Sequence, residues 1–286
     1  MQLAAVAATC GIELSGVEPS GEGGREVGGV RRLARRLQAH GLAPAQGEAV
    51  AECAVLYSAE ADLWTGGRHR AAVERAVELL SALHVQAPVV LRVQDAPPQA
   101  ALVLADAVAL SPLEAKDVRR RLDAGAPVLA FGEPAAVNEV GRPGDPFLPS
   151  AKARGTKVGN GTLALVPPLF PEKRGEKPPD AESVDRALAA VLGRGRRAAG
   201  VAARVPLLVV LHRAGGTLLA HVVAPDGERA QGATLFLGLH LAGGARRARF
   251  VSADGADVRI PMNPSGYSVS TVLPAFRGYA VLSLSP

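Results

Sequence analysis

The sequence is short of several things at once. Aromatic residues make up only 3% of its 286 positions, cysteine occurs twice, and lysine is confined to Lys116, Lys152, Lys157, Lys173 and Lys177. No apolar run reaches the roughly 20 residues that a membrane-spanning helix needs, so no membrane partner is expected. The scarcity of aromatics removes the platforms on which nucleic-acid bases stack. The net charge of +5 would by itself draw a polyanion. The arginines, however, are interleaved with acids, as in Arg25-Glu26 and Glu74-Arg75, which is the pattern of a solvated helix face, and nucleic acid is not expected as a partner.

The two cysteines, Cys10 and Cys53, are too far apart and too apolar in context for a zinc motif or a redox pair. Both read as reduced core residues of a cytoplasmic protein. Met1 to Cys10 ends in Ala-Ala-Thr-Cys, similar to a lipoprotein cleavage site, but it has no basic leader and too short an apolar stretch, so no export signal is expected. What is present in quantity is apolar aliphatic residue: 48% of the chain is hydrophobic against 21% charged, enough for two globular domains each with its own core.

Along the chain, Gly11–Val17 has strand character, Pro19–Gly24 is turn chemistry, and Val27, Val30, Leu33, Ala34 and Leu37 recur at helical spacing up to His40. One β/α unit cannot bury both sides of its strand, so Ile12 and Leu14 call for a partner surface. After a loop at Gly41–Ala49, strands alternate with helices, the order that builds a parallel sheet. Cys53–Tyr57, Val89–Val93, Ala101–Leu104 and Pro127–Phe131 are almost wholly apolar and predict buried strands. Arg70–Leu83, Pro112–Leu122 and Asp180–Leu192 predict helices, the second opened by a Ser111-Pro-Leu-Glu114 capping box and closed by Gly125. Thr156–Val158 and Thr162–Val166 flank Gly159-Asn160-Gly161 as a hairpin. Past a boundary near Arg197 no helix pattern appears, only short strands at Leu207–Arg213, Leu218–Val223, Ala233–Leu239, Arg247–Ser252, Tyr267–Leu273 and Tyr279–Leu284. That spacing predicts an antiparallel β-sandwich.

At this order of elements the chain resembles a known architecture. Ala54–Ser58, Leu63-Trp64, Ala101–Leu104, Leu110-Ser111 and Val128–Gly132 resemble the flavodoxin-like, class I glutamine-amidotransferase-like domain that follows the catalytic barrel in β-galactosidases of glycoside hydrolase family 42. Gly161–Pro167 resembles a late strand of that domain. Ala220–Val223, Leu273-Pro274 and Tyr279–Val281 resemble the small β-sandwich that closes such chains. The resemblance covers about residues 50–286 and implies an α/β flavodoxin-like domain over 50–196 and a sandwich over 200–286. It makes residues 1–45 similar to the last β/α unit of a TIM barrel. In that family the catalytic glutamates lie on earlier barrel strands, so no complete site of that type is expected here.

Few residues are candidates to carry chemistry. An amidotransferase needs a Cys at the elbow after the fourth strand, where Phe131-Gly132-Glu133-Pro134 has none, and Cys53 is placed to pack. Ser58 lies in no Gly-x-Ser-x-Gly elbow and has no His or Asp at a telling position. The Ser58–Thr65 loop occupies the phosphate position of a flavodoxin, but Glu60 and Asp62 would repel a phosphate, so no cofactor is expected. Glu13 and Glu18 share one strand and its loop, whereas a glycosidase pair faces across a pocket. His212 and His221 flank the Gly215-Gly216 turn and predict a diagonal pair on one sheet face, two ligands short of a structural metal set and read as satisfied, half-buried histidines. The Lys and Arg cluster of residues 142–177 reads as a charged loop.

Trp64, the only tryptophan, follows the first strand at the edge where open α/β sheets bind ligands, and is the one candidate for a ligand or interface contact. The expectation is a non-catalytic scaffold or assembly subunit, a homo-oligomer or the holder of a TIM-barrel catalytic subunit. The alternatives left open are a carbohydrate-active hydrolase completed by a barrel from another chain, and a flavodoxin-like small-molecule-binding module.

Overall fold

The computed structural model describes residues 48–135, 155–171, 175–193, 197–224 and 228–285. The β/α segment expected at residues 11–40, with Cys10, Glu13 and Glu18, lies outside them, as does most of the 142–177 cluster. The chain divides into two compact units, Ala51–Arg194 and Gly195–Pro286, the second also including residues up to Val50. The whole is mixed α/β with additional antiparallel sheets.

The first described strand, β1 (Glu48–Ala49), pairs within the second unit. The first unit then runs β2 (Cys53–Leu56), α1 (Ala59–Trp64), α2 (Arg68–Ala82), β3 (Val89–Val90), a 3-10 turn at Val93–Asp95, β4 (Ala101–Ala105), α3 (Pro112–Asp123), β5 (Val128–Phe131), β6 (Thr156–Val158), β7 (Gly161–Val166) and α4 (Ala181–Leu192). Its sheet has the order β3-β2-β4-β5-β7-β6, parallel except for the β6–β7 hairpin. The strands are continuous apolar runs because both of their faces are covered. Val55, Val103, Leu129 and Phe131 pack on Val73 and Leu80 of α2 and Leu188 of α4, while Leu56, Leu102, Leu104 and Val128 pack on Val118 and Leu122 of α3. The caps are those the sequence announces: Ser111 and Glu114 bond reciprocally at the start of α3, and Asp180 caps α4.

The segment Ser58–Thr65, expected as a loop, is the capped helix α1, and two further expectations for this unit need correcting. The strand expected over Val89–Val93 stops at Val90, and Val89 and Leu91 are exposed rather than buried. β3 is an edge strand with β2 as its one ladder partner, so nothing holds residues 91–93 extended. The hairpin turn is the two residues Gly159-Asn160, since Val158 pairs with Gly161. Gly159 adopts the left-handed conformation such a turn requires, with φ of +58°. Gly161 is a glycine for a different reason: a Cβ there would lie 2.6 Å from the Ala126 carbonyl oxygen and 2.7 Å from that of Leu122.

The second unit continues with β8 (Ala199–Ala202), β9 (Leu208–Ala214), β10 (Thr217–Val223), β11 (Arg229–Ala230), β12 (Thr234–Gly238), α5 (Leu239–Ala242), β13 (Arg247–Ser252), β14 (Asp257–Pro261), β15 (Asn263–Ser265), β16 (Ser268–Val272), β17 (Phe276–Arg277) and β18 (Tyr279–Leu284). A six-stranded sheet, β1-β9-β10-β18-β13-β14, and a four-stranded sheet, β15-β16-β12-β8, enclose one core. Leu218, Ala220 and Val222 of β10 and Phe250 of β13 meet Leu235, Leu237 and Val269 from the other sheet there. The alternate residues Leu219, Val223, Val251, Tyr279 and Val281 are buried as well, so the central strands are dry on both faces.

Here too the sequence reading falls short. The expected loop at 41–49 ends in a strand, with Glu48 and Ala49 opposite Arg213 and His212. A one-turn helix, α5, stands where no helix pattern was visible. β14 and β15, where no strand was expected, are mostly exposed, with Ile260 the one buried residue between them. No helix among the described residues is long and apolar enough to cross a membrane.

The approach at Gly161 yields a test. Gly161→Ala must push α3 and β7 apart and is expected to lower the unfolding free energy by about 1–3 kcal/mol in a urea titration. An unchanged midpoint would show that the approach is slack.

Candidate functional site

Chain order in the parallel sheet reverses at β2: β3 lies on one side of it and β4 on the other. The carboxyl ends of β2 and β4 therefore frame the crevice in which open α/β sheets take ligands. Tyr57 and Ser58 follow β2, Asp106 follows β4, His69 lies in the first turn of α2, and Glu114 lies in the first turn of α3.

These side chains are bonded to one another. The Ser58 N–H donates to His69 Nε2 at 3.0 Å, and His69 Nδ1 lies 2.9 Å from the Ala105 carbonyl oxygen. A carbonyl only accepts, so Nδ1 carries the proton and Nε2 offers its lone pair to Ser58. The imidazole is neutral, and it is fully buried. Burial pulls its pKa below the ordinary histidine value, against the opposing pull of the Ala105 carbonyl and of Asp62, Glu114 and Asp106. The Ser58 hydroxyl accepts from the Ala61 N–H, capping α1, and donates to Glu114 Oε2 at 3.0 Å. The same carboxylate oxygen accepts from the Ser111 N–H at 2.8 Å and from the Ser111 hydroxyl at 3.0 Å.

A serine, a histidine and a glutamate thus meet, but not as a nucleophile, base and orienter. The histidine lone pair faces a backbone N–H, and the serine hydroxyl faces the carboxylate. The expectation that Ser58 has no histidine at a telling position was incomplete. The histidine is there, brought by the turn of chain through Gly66-Gly67, and its role is structural. No motif spacing announces it, because the link is one backbone N–H to one ring nitrogen.

The phosphate position is likewise taken. The N-cap of α2 is Gly67, which has no side chain to offer, and the Asp62 carboxylate supplies the acceptor instead, taking the Arg70 N–H at 2.9 Å and the Tyr57 hydroxyl at 2.9 Å. The Arg70 N–H first and the Tyr57 hydroxyl second hold the Asp62 carboxyl below the usual carboxylate range. An anion arriving at this helix terminus would meet a carboxylate already in place. Asp106, with φ of +45°, accepts from the N–H groups of Leu169 and Phe170 at 3.0 Å each and so ties down the segment after β7.

At the elbow after β5, Gly132 has φ of +68° and Glu133 is exposed, with no thiol beside them; Cys53 is buried within β2. Trp64 closes α1 and is 43% exposed, so it is not a core residue. His212 and His221 do form a pair on one face of the six-stranded sheet, with ring centroids 5.1 Å apart. They are buried rather than half-buried. His221 Nδ1 meets the Tyr279 hydroxyl at 2.5 Å, and its Nε2 has no hydrogen-bond partner among the described residues. Among those residues no group of three or more His, Cys, Asp or Glu is placed to hold a metal.

No family model matches the sequence, and no curated protein matches it. Solved structures do. An α-L-fucosidase, isoenzyme 2, from Paenibacillus thiaminolyticus aligns with a TM-score of 0.58 at 14% identity, over 90% of this chain and 52% of its own. A β-galactosidase from Bacillus circulans sp. alkalophilus gives 0.58 at 15% identity, over 90% of this chain and 44% of its own. A catalytic mutant of a GH42 β-galactosidase from G. stearothermophilus gives 0.58 at 12% identity, over 88% and 44%. The chain spans about half the length of these proteins, and it shares with that part of them a fold.

The buried histidines set a pH dependence. Both His69 and His221 have folded pKa values below the ordinary 6.5, and burial, with His212 as the lesser cause, pushes His221 down to about 3. Below pH 6.5 the unfolded chain therefore binds protons that the folded chain refuses, and stability present above that pH is lost as pH falls towards 3. Denaturant titrations are expected to show a loss of about 2 kcal/mol between pH 7 and 5 from His221 alone. His69→Gln should flatten part of the total slope. A pH-independent midpoint across this range would contradict the assignment of neutral, buried imidazoles.

Proposed function

We propose that this chain is a non-catalytic assembly subunit related to the C-terminal region of glycosidases, which oligomerises or holds a catalytic TIM-barrel chain. The observation that carries this reading is the state of the carboxyl edge of its parallel sheet. The ligand crevice is filled by His69 and its partners, while the segments around it put Leu63, Trp64, Leu91, Leu113 and Phe170 into solvent. Chemistry needs a group free to give or take a proton, whereas association needs exposed apolar surface. The edge has the second, and in its crevice His69, Ser58 and Glu114 are bonded to one another or to backbone.

The strand order β3-β2-β4-β5-β7 is the 2-1-3-4-5 order of flavodoxin-like sheets, which favours a flavodoxin-like, class I glutamine-amidotransferase-like domain over about residues 50–196. On this reading residues 200–286 are the closing sandwich and residues 1–45 are kin to the last β/α unit of a barrel. A second reading, a glycoside hydrolase acting on carbohydrate once a barrel chain completes it, is favoured by structural neighbours that are an α-L-fucosidase and β-galactosidases.

The native protein is to be isolated, every chain in its complex identified, and aryl β-galactosides and α-fucosides offered to it. The expected outcome is a multimer of the 29.3 kDa chain, or its complex with a barrel protein, and no turnover by the chain alone. A monomer that hydrolyses a glycoside unaided would overturn the proposal. Turnover that appears only with the barrel chain would select the second reading.

A further inference from the structure

The four-stranded sheet of the second unit is built without charge. β8, β12, β15 and β16 contain not one ionisable residue, in a chain of which 21% is charged. Leu235, Leu237 and Val269 point into the core, so by the alternation of a strand Thr234, Phe236, Ser268 and Ser270 point outward. The outward row across the middle of the sheet reads Gly200, Phe236, Ser270 and Asn263 on four neighbouring strands, and Phe236 within it is 39% exposed.

Gly200 is not required by the chain's own packing or backbone. Gly238, two residues on from Phe236, must lack a side chain because a Cβ there would lie 2.5 Å from the Arg197 carbonyl oxygen. At Gly200 a Cβ would meet nothing within 4 Å, and the backbone is not in the left-handed region. Glycine weakens a strand, and where no bulge or turn calls for it, it marks a place that something else approaches closely. Beside it and Phe236 lies a groove of about 240 Å³, bounded by Arg197, Gly238 and Ser268.

The chemistry of this groove selects its occupant. An aromatic face stacks on the C–H face of a pyranose ring, and the groups around Phe236 match the hydroxyls at that ring's rim. Ser268 and Ser270 donate only long bonds of 3.4 Å to the carbonyls of Ser265 and Asn263, and each hydroxyl keeps acceptor lone pairs while it donates. A face without charge offers nothing to a phosphate or an ionic peptide. A protein partner needs about 800 Å² on each side with an apolar centre, whereas the large apolar side chains these strands expose are Phe236 and Val272. The volume lies below the roughly 300–1,000 Å³ of a drug-sized pocket and suits one sugar ring.

We propose that the outer face of β8, β12 and β16 binds a neutral saccharide, with one pyranose ring stacked on Phe236, its edge over Gly200 and its hydroxyls bonded to Ser268, Ser270 and Asn263. The binding needs no barrel chain and no second copy, so it stands or falls apart from the assembly reading.

The test is affinity electrophoresis of the full chain, run towards the cathode through native gels that contain soluble β-1,4-galactan or xyloglucan, two neutral glycans. At least one is expected to retard the chain. Phe236→Ala should weaken that binding about tenfold or more, and Phe236→Trp should retain it. Gly200→Val separates binding from folding: its side chain enters the groove while valine favours a strand, so binding is expected to fall about tenfold with the thermal midpoint unchanged or raised. Migration that neither glycan alters, or retardation that ignores both Phe236→Ala and Gly200→Val, would overturn the inference. So would a change in sedimentation on Phe236→Ala without retardation by either glycan, which would give the groove to a protein.

Discussion

His69 lies buried between β2 and β4, donating to the Ala105 carbonyl and accepting the Ser58 N–H. Parallel strands end without a partner for the groups just past their carboxyl ends, and a buried N–H left unbonded costs about 1–3 kcal/mol. One imidazole answers for both strands, and because it belongs to α2 it also sets where that helix begins. The bond from Ser58 to Glu114 extends the same arrangement to α3. The carboxyl ends of the two strands that frame the crevice and the helices on both faces of the sheet are thus joined through three side chains. Protonating the ring would remove the acceptor at Nε2 and put a charge in a dry site, which is why burial outweighs the nearby carboxylates in setting its titration.

That arrangement decides what the edge is suited to. In a doubly wound sheet the crevice is valuable because its polar groups are unspent. Here Asp62 caps α2, Asp106 anchors the segment after β7, and Glu114 receives three donors. Around the crevice Leu63 and Trp64 on α1, Leu91 beyond β3 and Leu113 at the start of α3 face outward. A surface of that kind associates; it does not polarise a bond. The fold is shared with about half the length of several glycoside hydrolases.

The elements that could be read in the sequence were those written in local chemistry. The Ser111–Glu114 box, the aliphatic runs of β2, β4 and β5, and the stripes of α2 and α4 all declare themselves within a dozen residues. What escaped was long-range or short. β3 looks from its composition like a buried strand and is cut off at Val90 because it lies at an edge, a fact of topology that no window contains. β1, β11 and β17 are two residues each and exist only because a distant strand pairs with them. The Ser58–His69 bond spans two helix starts and the Gly66-Gly67 turn, and a lone histidine in a helix's first turn carries no mark of it. Trp64 is singular in the sequence, but only the structure tells that it is partly exposed.

The pairing of β1 with β9 has a consequence for how the polypeptide is made. Glu48 and Ala49 leave the ribosome well before Arg213 and His212, with about 160 residues of chain, the whole α/β unit among them, synthesised in between. The rim of the larger antiparallel sheet therefore cannot close until β9 has emerged, and until then β1 has no strand to pair with. A nascent chain stalled between those points carries β1 as an unpaired edge.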